Sequence, residues 1–141
     1  MLALSAYATL VSLHLFANMV WIGSISSVGA LVSFASQTGA VERGRLALLP
    51  YRFLATPAFL ASLTLGVTCL ALDPSRMLLR LPSMHAKLTL AAAVIVIHHW
   101  IGIRARKMAS GLSESGPPKF ALPLLIACAA FAAWLAVVKP F

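Results

Sequence analysis

Acidic side chains are nearly missing from this chain. Glu42, Asp73 and Glu114 are its three carboxylates among 141 residues, against eleven Lys and Arg. All three fall in polar connections, so paired-carboxylate hydrolysis and a buried Ser-His-Asp triad have no acid to work with inside the apolar segments. Charge of either sign is scarce: 10% of residues are charged and 61% are hydrophobic, whereas a soluble domain carries about 25% charged residues. Cysteine occurs twice, as Cys69 and Cys128, with no CxxC spacing; small buried thiols are expected rather than a disulfide across the molecule. There is no phosphate-cradling glycine loop and no dinucleotide fingerprint. The first apolar segment has no charged n-region, runs longer than a secretory leader and carries its own polar face, so a retained helix is expected.

Long hydrophobic runs, by contrast, are abundant. Windows of about 20 mostly apolar residues, the length of a membrane span, fit four times, near 6–36, 52–72, 82–105 and 120–138. The expected fold is an all-α integral membrane protein, a four-transmembrane-helix bundle forming one domain over 1–141. The connections QTGAVERGR, DPSRMLLRLPS and MASGLSESGPPK are short and polar. A net charge of +8 does not imply nucleic acid here, because Lys and Arg sit mainly at helix ends, where they set topology and meet lipid headgroups. Arg43, Arg45 and Arg52 flank the first connection; Arg104, Arg106, Lys107 and Lys119 flank the third. The second has Arg76 and Arg80, partly offset by Asp73. The first and third connections are therefore expected in the cytoplasm, with the second connection and both termini on the outer side.

Local signals refine the spans. The first, at 31 residues, is roughly 46 Å long and must tilt or project. Its Gly23, Ser26, Ser27, Gly29 and Ala30 permit close approach of another helix. Pro57 falls in the first turns of the second span, where a missing donor costs least, and Asp73-Pro74 is expected to end it. Pro117-Pro118 precedes the fourth span, and Lys139-Pro140 follows it. Val41–Tyr51 is partly amphipathic and would suit the cytoplasmic membrane surface, though Pro50 interrupts a helix there.

Against this apolar background stand His14, His85, Lys87, His98 and His99. Ionisable groups at membrane depth are expensive and usually face a bundle interior, which makes each a site candidate. His14, Asn18, Trp21 and Ile25 fall on one helical stripe. Lys87 and His98, eleven residues apart, share a face but differ in depth by roughly 16 Å. His85 and His99 share another face. His14 and Lys87 fall at comparable depth in the outer half, so their pairing is the natural one, whereas a His14–His98 pair needs staggered helices. Histidine is a common axial ligand of haem iron, and bundles build cofactor sites between facing helices; lysine would ligate only as the neutral amine. An equally plain reading is a histidine bonded to a neighbouring helix and a snorkelling lysine. Met77, Met84 and His85 form a looser thioether–imidazole set of the kind that suits Cu(I).

The run MHAKL, with the His of IHHW eleven residues after its Lys, resembles the third-helix signature of HemJ-type protoporphyrinogen oxidases. LHLFANMVW is similar to that family's first helix, a Leu-His pair with Trp seven residues later. YRFLATPAF resembles its Tyr-Arg and Pro-Ala elements, and VVKPF its ending. The resemblance spans nearly the whole chain. It implies a small bacterial inner-membrane protein that binds haem b and oxidises protoporphyrinogen IX to protoporphyrin IX. It implies His14 and Lys87 as the residues of the haem iron, with Asn18 and Trp21 beside them. It further implies catalytic roles for His98, as a proton acceptor, and for Arg52, whose guanidinium suits a porphyrin propionate. After Trp21 the chain departs from the family pattern: WIGSISSVGALVSFAS lacks the Pro, Arg and further His found there, and WIG is more similar to CopD-type proteins linked to copper. Two alternatives follow. One is copper transport or resistance through Met84 and His85. The other is a non-catalytic subunit whose small-residue faces pack on other membrane subunits or on a second copy in a homo-oligomer, within the lipid bilayer.

Overall fold

A computed structural model describes residues 2–34, 39–72 and 80–138. Within them the chain is helical, arranged as four rods. The first is α1, Leu2–Phe34. The second is continuous, made of α2 (Ala40–Pro50), a π-helical turn (Tyr51–Ala55) and α3 (Thr56–Ala71). The third and fourth are α4, Pro82–Ala109, and α5, Ala121–Val138. The stretches Ser5–Phe34, Ala40–Ala71 and Pro82–Ala109 are long and apolar enough to cross a membrane, the signature of a multi-pass membrane protein. The 18 residues of α5 rise about 27 Å, just short of a hydrocarbon core of about 30 Å. Asp73, Pro74, Arg76, Met77, Lys139 and Pro140 lie outside the described residues.

The second rod differs most from the sequence expectation. It starts at Ala40, twelve residues before the expected 52, and Val41–Tyr51 continues into the span instead of forming a separate surface segment. The reason is the pair Pro50 and Pro57. Each removes an amide donor and crowds the preceding turn, and the backbone answers by widening for one turn rather than stopping. The Thr56 amide donates to the Tyr51 carbonyl in the wide register, and Thr56 Oγ1 donates to the same oxygen at 2.8 Å. At the other end of the helix scale, α4 opens with Pro82 in its first turn, where the lost N–H has no partner anyway. It closes after Ala109 with Leu112 N–H donating to Lys107 O at 2.9 Å and Gly111 N–H to Met108 O at 3.0 Å, the paired bonds of a Schellman end. Arg106 and Lys107 in that last turn complement the helix dipole.

Packing is governed by residues three and four apart. Trp21, Ile25, Val28 and Val32 of α1 meet Ala47, Tyr51, Ala55 and Phe59 of the second rod, Val94, Ile97, Ile101, Ala105 and Met108 of α4, and Ala121 and Leu125 of α5. α1 lies mainly on α3, while α4 lies on α2 and α5. α1, α3 and α5 are apolar on nearly all sides, so burial there does not follow hydrophobicity; close fit of small and large side chains decides the faces. The remaining large apolar side chains, such as Phe16, Met19 and Val96, are exposed, as suits contact with lipid.

Candidate functional site

Three polar clusters lie along the rods. The first surrounds His14. Its Nδ1 lies 2.9 Å from the Ser62 carbonyl on α3. A carbonyl only accepts, so Nδ1 carries the proton and donates, which leaves the lone pair of the neutral ring on Nε2. Asn18, one turn further along α1, donates from Nδ2 to His14 Nε2 and to the His14 carbonyl, each at 3.0 Å. Ser62 Oγ donates to Asn18 Oδ1 at 2.9 Å, closing a three-residue ring of bonds between two helices. The ring fits because α3 has no side chain at Gly66: a Cβ there would stand 2.8 Å from His14 Cε1. Lys87, on α4, lies within electrostatic reach of both His14 and Cys69.

The second cluster surrounds His98, buried to 1% exposure. Trp21 Nε1 donates to His98 Nδ1 at 3.1 Å. Because indole is only a donor, this ring has the opposite tautomer, with its lone pair engaged and its proton on Nε2. Tyr51 and Phe59 stack on the imidazole at 5.3 and 5.1 Å between centroids, and Trp21 also meets Phe59 at 5.1 Å. Protonating His98 would require breaking the Trp21 bond within this aromatic box. Gly102 admits the Tyr51 ring, which would overlap any Cβ at that position.

The third is an open cleft of about 370 Å³ lined by Tyr51, Arg52, Thr56, His99 and Arg106. His99 Nδ1 donates to the Ile95 carbonyl at 2.9 Å, and its ring meets His98 edge-on at 5.1 Å.

Of the residues expected to share a site, the structure joins His14 with Asn18 and brings Lys87 near them. Trp21 belongs with His98 instead. It lies seven residues beyond His14, about 10 Å along the helix, so the two histidines occupy different levels. Arg52 is exposed and lines the cleft with Tyr51, whose ring stacks on His98. His85 is exposed on α4, and Met77 lies outside the described residues; the described His, Cys, Asp and Glu do not gather in threes for a metal. Sequence reasoning missed Ser62, Gly66, Tyr51, Phe59, Gly102 and Arg106. The signal for two of them was present: Ser62 and Gly66, four apart, form a small-xxx-small step of the kind helices use for close approach. Compared with known proteins, the chain matches no family model, no curated protein and no solved structure.

Proposed function

We propose that this chain is a haem b-binding membrane oxidoreductase that oxidises protoporphyrinogen IX to protoporphyrin IX. The observation that carries the reading is the His14 tautomer. An imidazole that donates Nδ1–H to a backbone carbonyl carries its lone pair on Nε2, the tautomer a metal-ligating histidine takes, with ring angle and basicity set by the outer bond; the Asn18 amide that donates to Nε2 would have to turn away for a metal to take its place. Lys87 supplies a second nitrogen from the neighbouring helix. Imidazole and neutral amine are both nitrogen donors of the kind haem iron accepts, and Gly66 provides the side-chain-free space the imidazole needs. Bound there, haem would supply the one-electron chemistry that amino-acid side chains lack.

The residues of the chain have separate tasks in this reading. His14 and Lys87 would hold the iron, and the Ser62 carbonyl orients His14. His98, with its lone pair engaged by Trp21, positions Tyr51 and Phe59 and passes protons only if that bond opens. The topology belongs to the same proposal: α5 serves as a fourth, short span, both termini face outward, and the membrane is the bacterial inner membrane, as the loop charges and the family resemblance support.

The test is an oxidised-minus-reduced absorption spectrum of the detergent-purified chain, with metal analysis of the same sample. A b-type signal near one haem per chain, lost in His14→Ala and kept in His99→Ala, supports the reading; protoporphyrinogen turnover by that material completes it. Copper without haem, or equal haem loss from both variants, overturns it.

A further inference from the structure

The cleft at the basic end of α4 has the features of a built anion site. Its floor is Tyr51, seated against Gly102 and stacked on His98. The Arg106 guanidinium stands 5.7 Å from the Tyr51 centroid, and its Nε donates to the Gly102 carbonyl at 3.3 Å. His99, Gly102 and Arg106 share one face of α4 by their spacing of three and four. Arg52 and Thr56, four apart on the second rod, form the opposite wall, their phase set by the π turn. Two guanidiniums thus approach one hollow from two separate rods.

Neither has a counter-charge among the described residues. No described carboxylate pairs with Arg52 or Arg106. Glu42 lies ten residues before Arg52 on the same rod, about 15 Å away. Glu114 lines a different hollow, with Arg43. Two guanidiniums without a described partner, one on each of two rods, call for an anion from outside the chain. The sequence neighbours of Arg52 decide its other half: Phe53 and Leu54 are 76% and 50% exposed, and Leu49 and Ile103 are exposed too. The occupant must be anionic at one end and apolar at the other.

We infer that this cleft binds the phosphate of an anionic phospholipid, held between Arg52 and Arg106, with its acyl chains along Phe53 and Leu54. The site does not depend on the haem reading. Because planar guanidinium grips phosphate through paired bonds, it differs from the general attraction of basic helix ends to a negative membrane surface.

The full chain, reconstituted in nanodiscs of mixed phosphatidylglycerol and phosphatidylcholine and released into native mass spectrometry, provides the test. The expected result is selective retention of one phosphatidylglycerol, lowered on the order of tenfold in Arg52→Gln/Arg106→Gln by the loss of two charge-assisted contacts. Arg104→Gln/Lys107→Gln removes as much charge from the same end of α4, outside the cleft, and should retain the lipid. Arg52→Lys/Arg106→Lys should recover part of the retention, and unchanged helicity by circular dichroism shows that each variant is folded. Equal loss from both glutamine pairs, or no preference for phosphatidylglycerol, overturns the inference. Displacement of the lipid by millimolar inorganic phosphate would assign the cleft to a free oxyanion and overturn the lipid source. A haem spectrum lost together with the lipid in Arg52→Gln/Arg106→Gln would reassign the guanidiniums to a tetrapyrrole carboxylate; an unchanged spectrum supports the inference, and a preparation without haem leaves the lipid result standing.

Discussion

At His14 the atom that decides the chemistry belongs to another helix: the Ser62 carbonyl, not the Ser62 hydroxyl, orients the ring. Two substitutions separate these contributions. Ser62→Ala leaves the carbonyl in place and should cost little haem occupancy. Gly66→Ala places a Cβ 2.8 Å from His14 Cε1 and should displace the ring and lower haem per chain several-fold, as a pyridine haemochrome assay would measure. Equal occupancy in both variants would remove Gly66 from the site. At His98 the matching experiment is Trp21→Phe, which keeps an aromatic ring but strands a buried acceptor. The expected loss is about 1–3 kcal/mol, read as a lower midpoint in detergent-induced unfolding; an unmoved midpoint would show that the Trp21 bond does not stabilise the bundle. His14 and Asn18 were legible as partners because they sit four apart on one helix. Trp21 shares their stripe, and a stripe has no depth; only the partner helix assigned it to His98.

Among the elements, the second rod shows why boundaries were harder to read than spans. A proline ordinarily marks the end of a helix, and Pro50 was weighed that way. Yet Ala47, Tyr51, Ala55 and Phe59 are all core residues at four-residue steps, a pattern that crosses the proline and is kept in phase by the wide turn. Lipid offers no water to take up freed carbonyls, so a membrane rod widens where a soluble helix would stop. Pro50→Ala/Pro57→Ala removes the cause of the turn. Amide exchange at 51–56 should slow as ordinary helical bonds replace the wide ones; unchanged exchange would mean that packing, not proline, holds the turn open. The end of α4 was also placed short, at 105 instead of Ala109, because Arg104, Arg106 and Lys107 read as the water boundary. They are instead the last turn of the helix, and the chain stops only at the Schellman bonds.

For the molecule as a whole, the apolar runs made the helical fold plain, since three of the rods coincide in core with expected spans. The pairing of rods was not plain. With α1, α3 and α5 apolar on nearly all sides, little in the hydrophobic pattern says that α1 lies on α3 and α4 on α2. Small residues such as Ser62, Gly66 and Gly102 decide it, and they are common enough to go unnoticed. The orientation proposed from loop charge has its own test: alkaline phosphatase fused after Phe141 should be active and green fluorescent protein there dark. The reverse pattern would place the C-terminus inside and either invert the bundle or remove α5 from the spans.

Tyr51 touches both the dry box around His98 and the cationic cleft open to the surroundings. With Phe59, which meets both His98 and His99, this phenol ring acts as a gasket between the centre of the bundle and its basic end. Cutting it back to alanine would do more than leave a hole: it would let water from the cleft reach the His98 ring, and backbone amides at 97–99 should exchange faster than in the parent chain.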